Sequence, residues 1–464
     1  MSSELRALWE SAGGKVPGDW AVVPLESLLR DNKSIAVGVM YPGEHTPGGV
    51  PLIKVGDIKG GSIPVRPDYY ISAETNHEYR RTQLSGDELL ITLVGNPGEC
   101  VVVKPEMAGW NPARAIASVK LKDVGLRTYL KAVLESSAGK HLIDAVLNTT
   151  VQKTLNLKDI RRLPIPIPDK EAIATISNMS EALTDRITLL RETNATLEAI
   201  AQTLFKSWFV NFDPVRAKME GRAPEGIDEA TAAMFPDALE ETESRYVPKG
   251  WPILRIEEVA ERVGMGPFGS NIKVETFVEA GIPVLNGANV QGALLEDVKF
   301  RFVTEEHGAR LRNSSVHAGD IVLTHRGTLG QVSLVPRESK YSEYVLSQSQ
   351  FFLRCAPSIM EPEWMLYFLR SPSGKHLLLA NASQVGVPSI ARPSSYLRSM
   401  RLVVPPIGIV SRFADVTRSL HSAIVGNREK IQVLVTLRDT LLPRLISGQL
   451  RLSGIETNPE VIAV

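Results

Sequence analysis

Few positions in this sequence have the residue types and spacing that chemistry requires. Gly264-Met-Gly-Pro-Phe-Gly269 has the glycine spacing of a dinucleotide-binding loop. Such a loop needs a strand before it, a helix starting inside it and an acidic residue ~20 residues later. Pro267 sits within the motif, and Ser270-Asn-Ile-Lys273 follows with no helical periodicity. The segment therefore reads as a surface loop through which backbone approaches another molecule. Asn211-Phe-Asp-Pro214 has only a superficial likeness to the Asn/Asp-Pro-Pro-aromatic motif that an amino-methyltransferase needs. The eight histidines are scattered, none at metal-ligand spacing with carboxylates or cysteines. No P-loop, His-Glu-x-x-His or Gly-x-Ser-x-Gly is present. The pattern is that of a binding protein.

Binding chemistry is better represented. Asn, Gln, Arg and Ser read base edges, and Lys and Arg hold phosphates. In the first half, these criteria select Lys54 after an apolar run, Asn96 in the loop Val94 to Glu99, and Gln152 and Lys153 in the polar stretch from Thr149. Lys153, Lys158, Arg161 and Arg162 form a basic group. In the second half they select Ser270, Asn271 and Lys273 after the glycine-rich loop, and Asn286 and Asn289 after an apolar run. His325 and Arg326 in the loop to Gln331, and Gln384 with Arg392, complete the set. Any one of these is commonly a solvated surface residue. Their recurrence at equivalent places in two copies gives the binding reading equal weight.

The elements that must position these residues are organised around Asp169 to Phe212, which reads as one long helix. Ile173, Ser180, Ile187, Asn194, Ala201 and Trp208 recur every seven residues. Ile176, Leu183, Leu190, Leu197 and Leu204 form a second seam between them. These are heptad a and d positions over about five heptads. A helix of ~40 residues is ~60 Å long, a strut rather than a core element. Asn194 at an a position is the type of residue that fixes coiled-coil register.

The chain contains this strut twice. About 237 residues later Leu183 recurs as Leu420, Ile187 as Ile424, Leu197 as Leu434 and Leu204 as Leu441. The copy carries Asn427 one seam position earlier than Asn194, and Arg438 in place of Ala201. The rest repeats too. Val16-Pro-Gly-Asp-Trp20 recurs as Val247-Pro-Lys-Gly-Trp251, and Gly49 to Ile58 matches Gly281 to Val290. Gly86 to Thr92 matches Gly319 to Thr324, each followed by paired glycines, Gly95 and Gly98 or Gly327 and Gly330. Gly139-Lys-His141 matches Gly374-Lys-His376, expected at the end of a short helical stretch. Apolar-proline segments, Leu163 to Pro168 and Leu402 to Pro406, close each unit. Internal duplication decides the architecture.

The expected fold class is mixed α+β, with two sheet-rich units and two long helices. The expected divisions are 1–168, first unit with a short lead; 169–212, first strut; 213–246, a linker with a short helix at most. Then come 247–406, second unit; 407–452, second strut; and 453–464, a tail. The struts are expected to pair antiparallel, because a parallel pair would push the two preceding units into the same place.

Composition sets bounds. The chain has 464 residues, 43% hydrophobic and 22% charged, with zero formal net charge. Zero charge counts against a free-standing DNA binder but allows a partner to supply the cations. Only Cys100 and Cys355 are present, one per half, which excludes a disulfide framework or a cysteine-rich metal site. No run of ~18 apolar residues and no signal-type N-terminus is found, so a cytoplasmic protein without membrane contact is expected.

Three stretches resemble a known family, the specificity subunits of Type I restriction–modification enzymes. Leu204-Phe-Lys-Ser-Trp-Phe-Val-Asn-Phe-Asp-Pro-Val215 resembles the end of the family's central helix. Leu437-Arg-Asp-Thr-Leu-Leu-Pro-Arg-Leu-Ile-Ser-Gly-Gln-Leu450 resembles its C-terminal counterpart, and Thr150 to Ile160 the close of a target recognition domain. The second unit departs from that last pattern, carrying Pro388 and Pro393. The resemblance implies a subunit without catalysis of its own and without a cofactor, whose two recognition domains each read half of a split, asymmetric double-stranded DNA target. It implies antiparallel coiled-coil spacer helices on a pseudo-twofold frame, docking two methyltransferase (modification) subunits and two restriction (helicase-nuclease) subunits. S-adenosylmethionine, ATP and Mg would be held by those partners. Two readings from the residues alone stay open beside it: a coiled-coil protein-interaction adaptor with two duplicated binding domains, and a nucleotide-dependent transferase using the Gly264 loop.

Overall fold

The computed structural model describes residues 2–63, 66–147, 153–242, 246–383 and 386–450. The chain forms two compact units: Met1–Glu192 together with the chain from Glu429 onward, and Thr193–Arg428. Each unit thus owns one half of each long helix.

In the first unit a four-stranded antiparallel sheet runs in the order Ile35–Val37, Ile116–Lys120, Glu88–Thr92, Cys100–Val102. A smaller sheet places Val50–Ile53 between Tyr70–Ile71, antiparallel, and Asn111–Pro112, parallel. Ala21–Pro24 pairs with Pro164–Ile167, so the apolar-proline segment is an edge ribbon. Such ribbons tolerate proline because one side needs no ladder hydrogen bond.

The second unit repeats this order. Its larger sheet is Ala260–Met265, Gln350–Cys355, Ile321–Thr324, Val332–Leu334, again all antiparallel. Its smaller sheet has Ile282–Leu285 between Arg301–Val303 and Tyr344–Leu346, and adds Ser315–Val316 at the edge. Ile253–Arg255 pairs with Arg401–Val403. The mixed α+β, duplicated fold is as expected from sequence.

Gly139 and Gly374, which open the glycine-lysine-histidine repeats, lie in the first turn of the second of two consecutive helices, Ser137–Ala145 and Pro372–Leu379. Ser136 and Ser371 cap those helices by accepting from Gly139 N and Gly374 N at 3.1 and 3.0 Å. A Cβ at either glycine would collide with a carbonyl of the preceding helix, Val133 or Phe368. The conserved feature of the repeat is therefore a close helix–helix corner.

The long helices span Lys170–Phe205 and Ile407–Ile446. Their seams face inward: Ile176, Ser180, Leu183, Ile187, Leu190, Ala201 and Trp208 are all buried. Within the first unit Ile176 packs in one cluster with Leu442, Leu445 and Ile446. Within the second, Asn427 Nδ2 donates to Asn194 Oδ1 at 2.9 Å, and the Phe205 and Trp208 rings meet Phe413 at 5.7 and 6.2 Å. In the second unit position rises along one helix as it falls along the other, and in the first Ser180 and Thr184 line one cavity with Arg438 and Asp439, before Leu442, so the halves pair antiparallel. The two asparagines, offset by one seam position in sequence, are partners across the seam.

Two expectations needed revision. The first strut does not remain α-helical to Phe212: a π-helical turn occupies Lys206–Asn211, and Phe212 adopts φ 58°. That turn rotates Phe205, Trp208, Phe209 and Phe212 into one cluster with Phe235, Trp251, Trp364 and Phe413. The segment 213–246 is also more than a linker with one short helix. It forms helices Asp213–Met219 and Glu229–Met234 and a ribbon of Leu239–Glu241 with Tyr246–Pro248. Phe235 is buried against Trp208, and Asp228 pairs with Arg412 at 3.0 Å. Its Ala, Glu and Pro content hid two anchors, because a single buried aromatic leaves no periodic trace.

Candidate nucleic-acid interface

In the second unit the candidate loops are tied together by backbone pairing. Ile390 N donates to the His325 carbonyl at 2.9 Å, Gly327 N to the Pro388 carbonyl at 2.9 Å, and Arg326 bridges Ser389. Arg326 and Arg392 are both exposed, and Arg392 sits at φ 46°, at the N-terminus of the helix Pro393–Ser399. Thr324 Oγ1 donates to Gln331 Oε1 at 2.9 Å, and Gln331 Nε2 donates to the Gly287 carbonyl at 3.2 Å. The turn holding Asn286 is thereby fixed to the paired-glycine loop.

His325 is a brace more than a free contact. Its Nε2 faces the Gln348 carbonyl at 3.1 Å, and its ring stands edge-on to Phe351. Burial pushes its pKa below the ordinary histidine value; the Gln348 carbonyl opposes that shift and the neighbouring Arg326 charge adds to it. A neutral imidazole donating from Nε2 satisfies this geometry.

Asn289 departs from its expected role. It is 0% exposed, its Oδ1 accepts from Asn286 N at 3.0 Å and its Nδ2 donates to the Glu296 carbonyl at 3.3 Å. It builds the turn and touches no solvent. Asn286 is half-buried and uses its Oδ1 on Ala288 N at 2.8 Å. The Gly264 loop lacks the helix that a dinucleotide fingerprint starts: a short 3-10 turn, Gly269–Asn271, follows the strand Ala260–Met265. Asn271 and Lys273 are exposed, and the Asn271 carbonyl meets His307 Nε2 at 2.7 Å. Ser270 lies in the 3-10 turn, its side chain outside what is described, and Gln152 and Gln384 lie outside the described residues.

The first unit uses the same pairing. Leu155 N donates to the Leu93 carbonyl at 2.9 Å and Val94 bridges Thr154, the counterparts of Ile390 to His325 and Arg326 to Ser389. This brings exposed Lys153 to the Asn96 loop. Asn96 is exposed, and its Nδ2 donates to Glu99 Oε2 at 3.1 Å. Glu99 Oε1 in turn accepts from Gly61 N at 2.7 Å. The loop faces a cavity of about 470 Å³, lined also by Ser180, Thr184, Arg438 and Asp439 of the long helices. Lys54 is exposed, its ammonium 3.8 Å above the Tyr69 ring. Lys158 is exposed on the helix Leu157–Arg162, and Arg161 donates to the Asn32 carbonyl at 2.7 Å.

The sequence reading missed one duplicated contact. Arg191 and Arg428 stand at matching positions of the two long helices. Arg191 packs on Gly60 in the first unit; Arg428 donates to the Leu295 carbonyl at 3.0 Å and lies against Gly292 in the second. The 237-residue repeat of the struts contained that signal. Among the described residues no group of three or more His, Cys, Asp or Glu is placed to hold a metal, and no helix is long and apolar enough to cross a membrane.

Two sheet-bearing units with matching loop sets, each carrying paired parts of the long helices, define a duplicated fold. Comparison with known proteins narrows it. The specificity subunit of the Type I restriction enzyme MjaIX of Methanocaldococcus jannaschii is 21% identical, with 95% of this chain and 96% of that protein covered. The HindI specificity subunit of Haemophilus influenzae is 25% identical over 69% of this chain and 74% of its own. The crystal structure of a Type I restriction–modification S subunit from M. genitalium superposes with a TM-score of 0.52 at 14% identity, covering 93% of this chain and 97% of that one. No family model matches the chain. The resemblance to Type I specificity subunits, read from three stretches of the sequence, is borne out by these similar proteins, of which the MjaIX subunit matches along nearly the whole chain, and the fold is shared with the S subunit structure.

Proposed function

We propose that this chain is the DNA sequence-recognition subunit of a Type I restriction–modification complex. Each unit reads one half of a bipartite, asymmetric target, and the long helices scaffold two modification subunits and two restriction subunits. The chain itself turns over no substrate; S-adenosylmethionine, ATP and Mg belong to the partners. One observation carries the reading. The same loop pairing, 93–94 with 154–155 and 325–326 with 389–390, is built twice but presents different side chains. Equivalent frames with unlike residues suit two unlike half-sites, since base edges are distinguished by donor and acceptor pattern. The neutral overall charge fits a complex in which partners grip much of the phosphate backbone.

The test is reconstitution of the chain with its modification subunits and mapping of methylated adenines on genomic DNA. Methylation confined to two short words separated by unread base pairs, and absent when the chain is omitted, supports the reading. Methylation independent of the chain overturns it.

A further inference from the structure

The two most exposed large aromatic side chains among the described residues are Tyr41, 76% exposed, and Phe268, 70% exposed. They stand at corresponding places in the two units. Each follows a glycine that donates its N–H to the equivalent strand: Gly38 to the Ile116 carbonyl at 3.0 Å, Gly266 to the Gln350 carbonyl at 2.9 Å. In both, an added Cβ would strike a backbone carbonyl just before the strand that accepts this bond, Pro112 or Ser347. The chain therefore leaves the sheet at one fixed point in each unit, and two or three residues later it presents an aromatic ring to solvent.

In each unit the segment carrying the ring is tied to the neighbourhood of an edge strand where a cation lies on an aromatic face. In the first unit the Tyr69 hydroxyl donates to the Gly43 carbonyl at 2.6 Å, tying the Tyr41 segment to the edge strand. Lys54 lies over the Tyr69 ring at 3.8 Å, and His45 packs against Tyr69 and Tyr70. In the second unit the Asn271 carbonyl meets His307 Nε2 at 2.7 Å, tying the Phe268 segment to the helix Glu305–Arg310 that follows the edge strand Arg301–Val303, and on that strand Arg301 lies 5.0 Å over the Phe277 ring. An exposed ring costs free energy in water, and a single ring offers too little area for a stable protein interface. An exposed ring on a segment tied to a strand that carries cations suits a duplex, where the cations meet phosphates and the ring enters or abuts a base step.

The geometry points to Tyr41 and Phe268 as paired aromatic wedges, one per half-site, that stack on the bases of duplex DNA. This deepens the proposed DNA-recognition role and rests on it. It assigns stacking to segments distinct from the paired-glycine loops, of which the first faces the long helices. Unstacking a base step costs free energy, which the inserted ring partly returns by stacking.

The test uses the full chain assembled with its modification subunits and a duplex carrying the mapped target. Tyr41→Ala and Phe268→Ala should each weaken binding about 5- to 150-fold, the range of one lost base–aromatic stack. Tyr41→Phe and Phe268→Tyr should restore it. With 2-aminopurine placed along one half-site, fluorescence should rise at one step on binding, and Tyr41→Ala or Phe268→Ala should abolish the rise in its own half-site only. Alanine variants that assemble and bind the target as tightly as the native chain overturn the inference. So do variants that impair only assembly, which would make the rings protein contacts. If the native complex methylates no bipartite target, the recognition role itself falls, a result distinct from either.

Discussion

Asn194→Ala removes the acceptor of an amide–amide bond across the long-helix seam of the second unit. Asn427 Nδ2 donates to Asn194 Oδ1 at 2.9 Å, and both residues are half-buried. Leaving a buried amide unpaired costs ~1–3 kcal/mol; partial access to water puts this pair near ~1 kcal/mol. Asn427→Ala should cost the same. The double alanine variant should lose less than the two singles together, with a coupling of about 1 kcal/mol. For a unit of this size that is a shift in Tm of about 2–4 °C per single variant. The pair Asn194→Leu with Asn427→Leu should recover stability, since apolar replacement of both partners is close to neutral. It should also loosen register, because a polar pair forbids slipped alignments that leave an amide opposite leucine. Scanning calorimetry on the full chain and its four variants measures the cycle. Strictly additive losses, or a double leucine variant less stable than either alanine single, would refute the reasoning.

Phe413→Ala should cost about 3–5 kcal/mol, because its fully buried ring meets Phe205, Trp208, Phe209 and Tyr367; Val433→Ala, on an exposed face, should change stability by less than about 0.5 kcal/mol. Urea titration of both variants checks the contrast. His421 is buried with Nε2 2.9 Å from the Tyr367 hydroxyl, and burial lowers its pKa from 6.5 to about 4. The unfolded chain then takes up a proton that the folded chain refuses, so the His421 contribution is complete above pH 6.5 and is lost as pH falls towards 4, by up to ~3 kcal/mol. His421→Gln should flatten that part of the stability–pH curve; an unchanged slope contradicts the assignment.

The seam was legible because heptad spacing is a geometric requirement of paired helices, and the duplication was legible because glycine corners tolerate no other residue. Asn194 could be named as a register residue, but its partner could not, since antiparallel pairing places Asn427 one seam position out of step with the repeat. The candidate site was less readable. Asn289 looks like any polar loop residue until its amide is found closing a buried turn. His325 was a plausible base contact by type, yet its ring is committed to the Gln348 carbonyl. Tyr41 and Phe268 escaped notice because an isolated exposed aromatic has no period, and neither is repeated in kind at the other's position. Burial and hydrogen-bond partners, not residue type, separate a contact from a brace.

The division of the target between units is tested most directly by Arg326→Ala. Arg326 is exposed on the paired-glycine loop of the second unit, bridged to Ser389 by backbone. The measurement is methylation-site mapping of the reconstituted complex, native chain against variant. The account predicts two unlike words separated by unread base pairs, with the variant relaxed or weakened in one word alone, by ~1–3 kcal/mol if the arginine pairs with a guanine. One uninterrupted word, or a variant altered in both words equally, would contradict it.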